Sequence, residues 1–519
     1  MPIVKIPFKP GINRENTNYT NTGGFYDCNK IRFRTGQPEK IGGWTNSSLG
    51  NTFSGVARSL WNWETVAGEN LIAIGTNQKY YINNGGVYHD ITPAGTTVSY
   101  LPNNPFTTTF GSKLVTVTDS TSVTLGTFVT FSGATTVGGL TLNNEYEIVS
   151  YASGGYNIIA STTAGSGGPG GGSTVTATYA LSAGSAVSSP ALGWGAPSWG
   201  SGGWGSGATT SVPIRIWSQA NFGDDLIFAA YNSAMYYWTK DTSTYAKAVT
   251  INTKASTVTK TTQTVATAVT GVTTFDVINS QNIDIGATIT LVSGTGTIPT
   301  GTYVTTAYAG YTTVTVSAAV TLSAGAKVAF SYSGKCAPNQ VGYMLVSTTN
   351  QFTVALGSTP YDPSNALFTP TFSPLLVRWS DQSQALDWTP STSNQSGEQL
   401  LSSGSYIVTG LSTRQEILIW TDRALFSMQY IGAPLVFSFQ LMMDNISIMS
   451  PTAMISVGGQ TYWMGQDKFY MYNGTVQPLA CPVRKYVFSD LNAGQAEQVV
   501  CGQNEQFNEI WWFYPSANS

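Results

Sequence analysis

The chain has 519 residues and a mass of 55.2 kDa, with 23 Lys+Arg against 26 Asp+Glu and a formal net charge of −3. Charged residues make up 9% and aromatics 12% of the chain, with 55 glycines. This composition excludes a coiled coil, a conventional disordered chain and a nucleic-acid binder of the basic-patch kind.

The N-terminal segment reads as an extended arm, residues 1–44. Pro2, Pro7 and Pro10 oppose helix. No apolar h-region follows Met1, and no apolar run long enough to span a membrane as a helix is visible. Residues 1–45 hold seven cations and three acids, a balance of +4, against −7 for the remainder. Lys30-Ile31-Arg32-Phe33-Arg34 alternates with period 2, which places Lys30, Arg32 and Arg34 on one strand face and Ile31 and Phe33 on the other. The basic face is a candidate interface, with acidic neighbours favoured over DNA because only three cations line it.

Beyond the arm, one kind of unit recurs: an apolar strand, a tight polar turn, and a second strand rich in aromatics. Leu71–Gly75 precedes Lys79–Ile82, Leu226–Ala230 precedes Ala234–Trp238, Glu416–Trp420 precedes Ala424–Met428, and Gln460–Met464 precedes Lys468–Tyr472. Asn84-Gly85 and Asn473-Gly474 suit the positive φ of hairpin turns. Glu509–Tyr514 opens one more unit. Ile417 to Tyr462 is a step of 45 residues and Tyr462 to Ile510 one of 48, a period that matches a β-propeller blade. Leu226 lies 155 residues after Leu71, and Tyr343 lies 117 after Leu226, which insertions explain. The expected fold is therefore all-β, a β-propeller assembled from discontinuous segments (45–102, 215–249 and 336–519), with two inserted β-sandwich or barrel-like domains at 103–182 and 250–335. The first insert shows strand-like runs at 113–118, 127–131, 145–150 and 156–160. The second shows them at 273–278, 288–292, 303–306, 312–317 and 327–332. The last unit is short before Ser519. Either the arm completes it or the given chain is truncated.

Residues 183–214 form a Gly/Trp-rich linker, within a stretch from Ile148 to Ile214 that has no charged residue. Trp194, Trp199 and Trp204 are costly to leave in water and are candidate interface residues.

Catalytic chemistry is thinly supplied. Gly165–Gly172 lacks the Lys-Ser/Thr and the helix of a phosphate loop. Asp224-Asp225 reads as a solvated turn before a strand. His89 is the only histidine and has no nucleophile-elbow partner. Ser380–Thr389 lacks the order of a sialidase Asp-box. Cys28, Cys336, Cys481 and Cys501 form no CxxC pair and read as unpaired thiols, with a Cys481–Cys501 bridge left open. No catalytic, metal or cofactor residue is assigned.

The segments Phe8–Ile12, Gly23–Arg34 and Gly36–Trp44 resemble the opening of the tail nozzle, or distal tail tube, proteins of short-tailed phages (podoviruses). Arg378-Trp379-Ser380, Asp387–Pro390, Met464-Gly465 and Phe507–Pro515 extend the resemblance over most of the chain outside the inserts. Similar families are the T7-type tail tubular protein B and the P22-type DNA-stabilisation tail protein. The resemblance implies a propeller-centred virion subunit, assembled in the host cytoplasm as a homohexameric ring. It implies contacts with an adaptor ring and a fibre or plug protein, genomic DNA passing through the lumen without sequence-specific binding, no stable membrane insertion, and no enzyme activity. A receptor- or carbohydrate-binding propeller, less readily a glycosidase, is the alternative.

Overall fold

A computed structural model describes residues 8–17, 19–45, 50–190, 211–241, 244–280, 282–307, 312–334, 336–361, 371–392 and 394–517. The chain is mostly β, with 48% of residues in strands and 5% in helix. Five four-stranded antiparallel meanders carry its centre. Sheet A comprises Ala57–Glu64, Asn70–Thr76, Tyr80–Asn84 and Val87–Asp90. Sheet B comprises Trp217–Phe222, Asp225–Ala230, Met235–Trp238 and Val249–Thr250. Sheet C comprises Val341–Val346, Thr353–Ser358, Ser373–Trp379 and Gly397–Leu400. Sheet D comprises Ile407–Ser412, Ile417–Thr421, Ala424–Gly432 and Val436–Asp444. Sheet E comprises Met454–Val457, Gln460–Met464, Phe469–Tyr472 and Val476–Pro478. A terminal pair, Val500–Asn504 with Glu509–Phe513, follows.

The second strands explain the packing. Successive side chains point to opposite faces, and in these strands both faces are apolar. Leu226 and Phe228 of sheet B join Leu71, Ala73 and Tyr80 of sheet A, whereas Ile227 and Ala229 join Val341, Met344 and Ala355 of sheet C. In sheet D, Ile417 and Ile419 face Val354 and Leu356 of sheet C, whereas Leu418 and Trp420 face Trp463 and Met464 of sheet E. The sheets therefore stack face to face in the order A, B, C, D, E, and Trp512 carries the last core on to the terminal pair. Gly410 permits the close approach of sheets C and D, because a Cβ there would lie 2.4 Å from Leu356 Cδ1. The face of sheet A turned from sheet B leaves Leu60 and Ile72 exposed.

Sheets A, B, D and E use the recurrent unit as their second and third strands. Sheet C differs: Tyr343 lies in its first strand, and Thr353–Ser358 is the second. An apolar run such as Tyr343–Val346 reads alike in either place.

Both long gaps fold as β modules. The first is one eight-stranded antiparallel sheet around its own core of Phe106, Val117, Phe131, Ile148 and Tyr156. It begins at Ala94–Tyr100, ahead of residue 103, and that strand pairs with Thr176–Ala180. The second places a three-stranded sheet (Thr259–Thr264, Lys327–Ser331, Ile289–Ser293) over a four-stranded one around Phe275, Val304, Val316 and Phe330. A seven-residue helix, Ile251–Thr257, leads into it, with the Thr250 side chain accepting from Thr253 N at its start.

Candidate functional site

The arm closes on the other end of the chain. Ile31–Arg34 pairs with Gln37–Lys40 as a separate two-stranded sheet and adds no strand to the terminal pair. It packs on that pair through side chains. Arg32 is buried, with its guanidinium carbon 3.4 Å from the Phe507 ring centroid and Nε 3.5 Å from Glu509 Oε1. Trp44 meets Trp511 edge to face at 5.8 Å. Upstream, Arg14 N and Glu15 N donate to Pro482 O, and Lys485 N donates to Glu15 Oε1 at 2.7 Å. The Arg14 guanidinium lies 3.8 Å from the Tyr486 ring centroid and pairs with Asp27 at 2.6 Å.

Of the basic face expected at Lys30, Arg32 and Arg34, only the outer two are exposed. Lys30 precedes the strand at φ +58° and Arg34 lies 3.9 Å from Glu39. Arg32 is taken inward by the aromatic ring of Phe507, which strand alternation does not reveal. Trp194, Trp199 and Trp204 lie outside the described residues.

A cleft of about 700 Å³ opens where the first strands of sheets A, B, C and D converge. Trp61, Phe222 and Tyr343 supply its apolar wall, and Gln219, Asn221 and Gln351 its amides. Neighbouring strands hold the amides in place. Gln219 Oε1 accepts from Ser59 Oγ at 3.0 Å and from the Tyr80 hydroxyl. Trp61 Nε1 donates to Asn221 Oδ1 at 3.2 Å. Gln351 Oε1 accepts from Ser383 Oγ at 3.0 Å. The one carboxylate on the wall, Asp225, is committed: Oδ2 accepts from the Tyr237 hydroxyl at 2.6 Å and Oδ1 from Lys240 N at 2.7 Å. Burial first, then Asp225, raises the Tyr237 pKa. The short turn Ala493–Gln498 lies against Ser188 and Ile214. There Glu497 Oε2 accepts from Ser188 Oγ at 3.0 Å and from Ile214 N at 3.4 Å.

Several acids and cations serve the joints between modules. Lys260 of the second module donates to Asp284 Oδ1 at 2.8 Å and to Asp387 Oδ2, beside sheet C, at 2.7 Å. Burial pushes Asp284 up to about 6, against the pull of Lys260. Lys79 of sheet A donates to Asp90 at 2.8 Å and to Glu145 of the first module at 2.5 Å. Burial opposes the Asp90 charge, but hydrogen bonds from Lys247, Lys79 and Thr92 outweigh it and hold its pKa down at about 2. Arg378 is buried and donates to the carbonyls of Cys336 (2.7 Å), Thr359 (3.0 Å) and Trp388 (3.3 Å). The Arg378-Trp379-Ser380 and Asp387–Pro390 motifs thus lie in one structural knot.

The residues weighed for chemistry are placed the same way. Asp224 Oδ1 accepts from Val66 N at 2.8 Å, so the Asp224-Asp225 pair anchors a turn and a strand start. His89 stacks on Tyr245 at 3.6 Å. Gly168–Gly170 is a strand paired with Phe106–Thr108. All four cysteines are free thiols, and burial raises Cys501 to about 12. Among the described residues no group of three or more His, Cys, Asp or Glu side chains is placed to hold a metal. The cleft escaped sequence reasoning because its walls come from four separated strands. The signal was the strand preceding each recurrent unit. No protein-family model and no curated protein matches the chain.

Proposed function

We propose that the chain is a structural virion protein, the nozzle subunit of a short phage tail, and that it forms a ring that retains and then conducts the genome. In this reading sheets A to E are blades of a β-propeller, and the terminal pair with its arm is the last. The observation that carries it is the meeting of the two ends of the resemblance. Arg32 and Trp44, from the N-terminal motifs, pack on Phe507, Glu509 and Trp511, from the C-terminal one. Motifs far apart in sequence thus form one contact, as a shared fold requires. A charge-poor chain of net charge −3 also suits a conduit, since each neutralised phosphate adds salt-dependent affinity and would retard DNA. The two β modules supply surfaces for neighbouring subunits, and head-to-tail contacts close a ring by rotation. An adaptor ring, a fibre or plug protein and the passing DNA are the partners, the virion tail is the location, and no enzyme activity belongs to this reading. Gold-labelled antibody against the second module tests it on phage particles that carry the protein. Label at the distal tail tip supports the proposal, and label on the capsid or on lateral fibres refutes it.

A further inference from the structure

We infer that the cleft between the first strands of sheets A to D is a binding site for a neutral oligosaccharide, a function beyond the nozzle reading. Three observations lead there. The first is size: about 700 Å³ lies within the roughly 300–1,000 Å³ of small-molecule sites and accommodates several pyranose rings. The second is chemistry. A pyranose presents an apolar C–H face and a rim of hydroxyls, each both donor and acceptor. Trp61, Phe222 and Tyr343 offer apolar and aromatic surface for the face, and Gln219, Asn221 and Gln351 offer amides for the rim. Gln219 and Gln351 have their Oε1 atoms engaged by protein hydroxyls, and among the described residues neither Nε2 has a protein acceptor. Asn221 already gives its Nδ2 to Gly223 O at 3.1 Å and offers a ligand only the remaining acceptor capacity of Oδ1. These amides are held before any ligand arrives, which lowers the ordering cost of binding. The third is charge. No Lys or Arg lines the cleft, and both oxygens of Asp225 are spoken for by Tyr237 and Lys240. A phosphate or a sialic acid would find no counter-charge there and would lose solvation on entry. A neutral sugar loses no charge solvation and replaces water on the amides.

Saturation-transfer NMR on the full chain tests this with maltohexaose, cellohexaose and mannohexaose as probes and sialyllactose as the charged comparator. Saturation of at least one neutral hexasaccharide, undiminished by sialyllactose, is expected. Ser412→Phe, which adds a ring to the cleft wall, should weaken that binding by about tenfold or more, the scale of about 1.4 kcal/mol, in a variant whose cooperative melting shows it folded. Gln351→Ala is the second variant should Ser412→Phe fail to fold, and it is expected to weaken binding several-fold through one lost hydrogen bond. Absence of transfer to all three hexasaccharides overturns the inference. So does binding untouched in every folded variant, or displacement of the sugar by an uncharged Gly-Ser-Thr peptide at equal concentration, which would mark the cleft as a peptide site.

Discussion

Replacing Lys260 by Met takes away the cation that bridges two almost wholly enclosed carboxylates. The side chains of Asp284 and Asp387 are 5% and 4% exposed, and each gives one oxygen to Lys260 Nζ, at 2.8 and 2.7 Å. What remains is meagre: Ser333 N reaches Asp284 Oδ2 at 3.4 Å and Thr389 N reaches Asp387 Oδ1 at 3.3 Å. Without the Lys260 charge to hold it down, Asp284 is driven further towards its protonated form beside Asp387, and the joint loses its ion pairs. Removing one partner of a buried ion pair costs about 3–5 kcal/mol, and a multi-module chain takes that loss locally. At about 1.4 kcal/mol per decade, amide exchange in Thr259–Thr264 and Lys327–Ser331 should quicken by about two to four orders of magnitude at neutral pH. Sheets D and E should keep their protection. Hydrogen exchange read by mass spectrometry measures both. Lys260→Met/Asp284→Asn/Asp387→Asn, which removes all three charges together, should recover most of the loss. Unchanged exchange in Lys260→Met, or no recovery in the triple variant, would refute the claim that this cluster docks the second module.

The two shifted aspartates make stability depend on pH in opposite senses. Asp284, raised from 3.8 to about 6, binds a proton in the folded state before the unfolded chain does, so its term adds stability as pH falls from about 6 towards 3.8. Asp90, lowered from 3.8 to about 2, contributes fully above 3.8 and loses that contribution as pH falls towards 2. Urea unfolding of wild type and Asp284→Asn at several pH values should show the first term vanish in the variant. Arg32→Ala should cost about 1–3 kcal/mol through the lost ion pair and ring contact and should expose the arm to limited proteolysis. Removal of residues 1–44 should lower the melting temperature by several degrees; equal melting would show that the arm does not clasp the fold. Arg378→Lys should lower stability by about 2–3 kcal/mol, read by thermal melting, because an ammonium cannot serve three carbonyls set for a planar fork.

The all-β character and the recurrent strand pairs were legible where strands are buried on both faces. Leu226–Ala230 and Ile417–Trp420 are apolar throughout because each face meets another sheet, and their turns mark the unit. Outer strands such as Val249–Thr250 and Val476–Pro478 are too short for alternation to register. Ala94–Tyr100 escaped notice because Ala-Gly-Thr-Thr carries no apolar pattern; its register comes from Thr176–Ala180. In the second module, five expected strands fall within a few residues of observed ones, because Val and Thr alternate there against a single core. The cleft and the joints were hidden for another reason. Lys260 finds its acids 24 and 127 residues away, and the cleft draws one wall from each of four sheets. Such meetings are properties of the tertiary arrangement and have no local period. Arg32 shows the limit most clearly: alternation groups it with Lys30 and Arg34, yet an aromatic ring and one glutamate near the C-terminus take it into the interior.

The copy number in the assembled particle bears most directly on the central claim. Electron micrographs of purified assemblies or tails, averaged without imposed symmetry, should show six copies in a ring around an open or plugged lumen. A three-fold fibre beyond the tail with no ring, or a protein that stays monomeric beside its adaptor, would contradict the account.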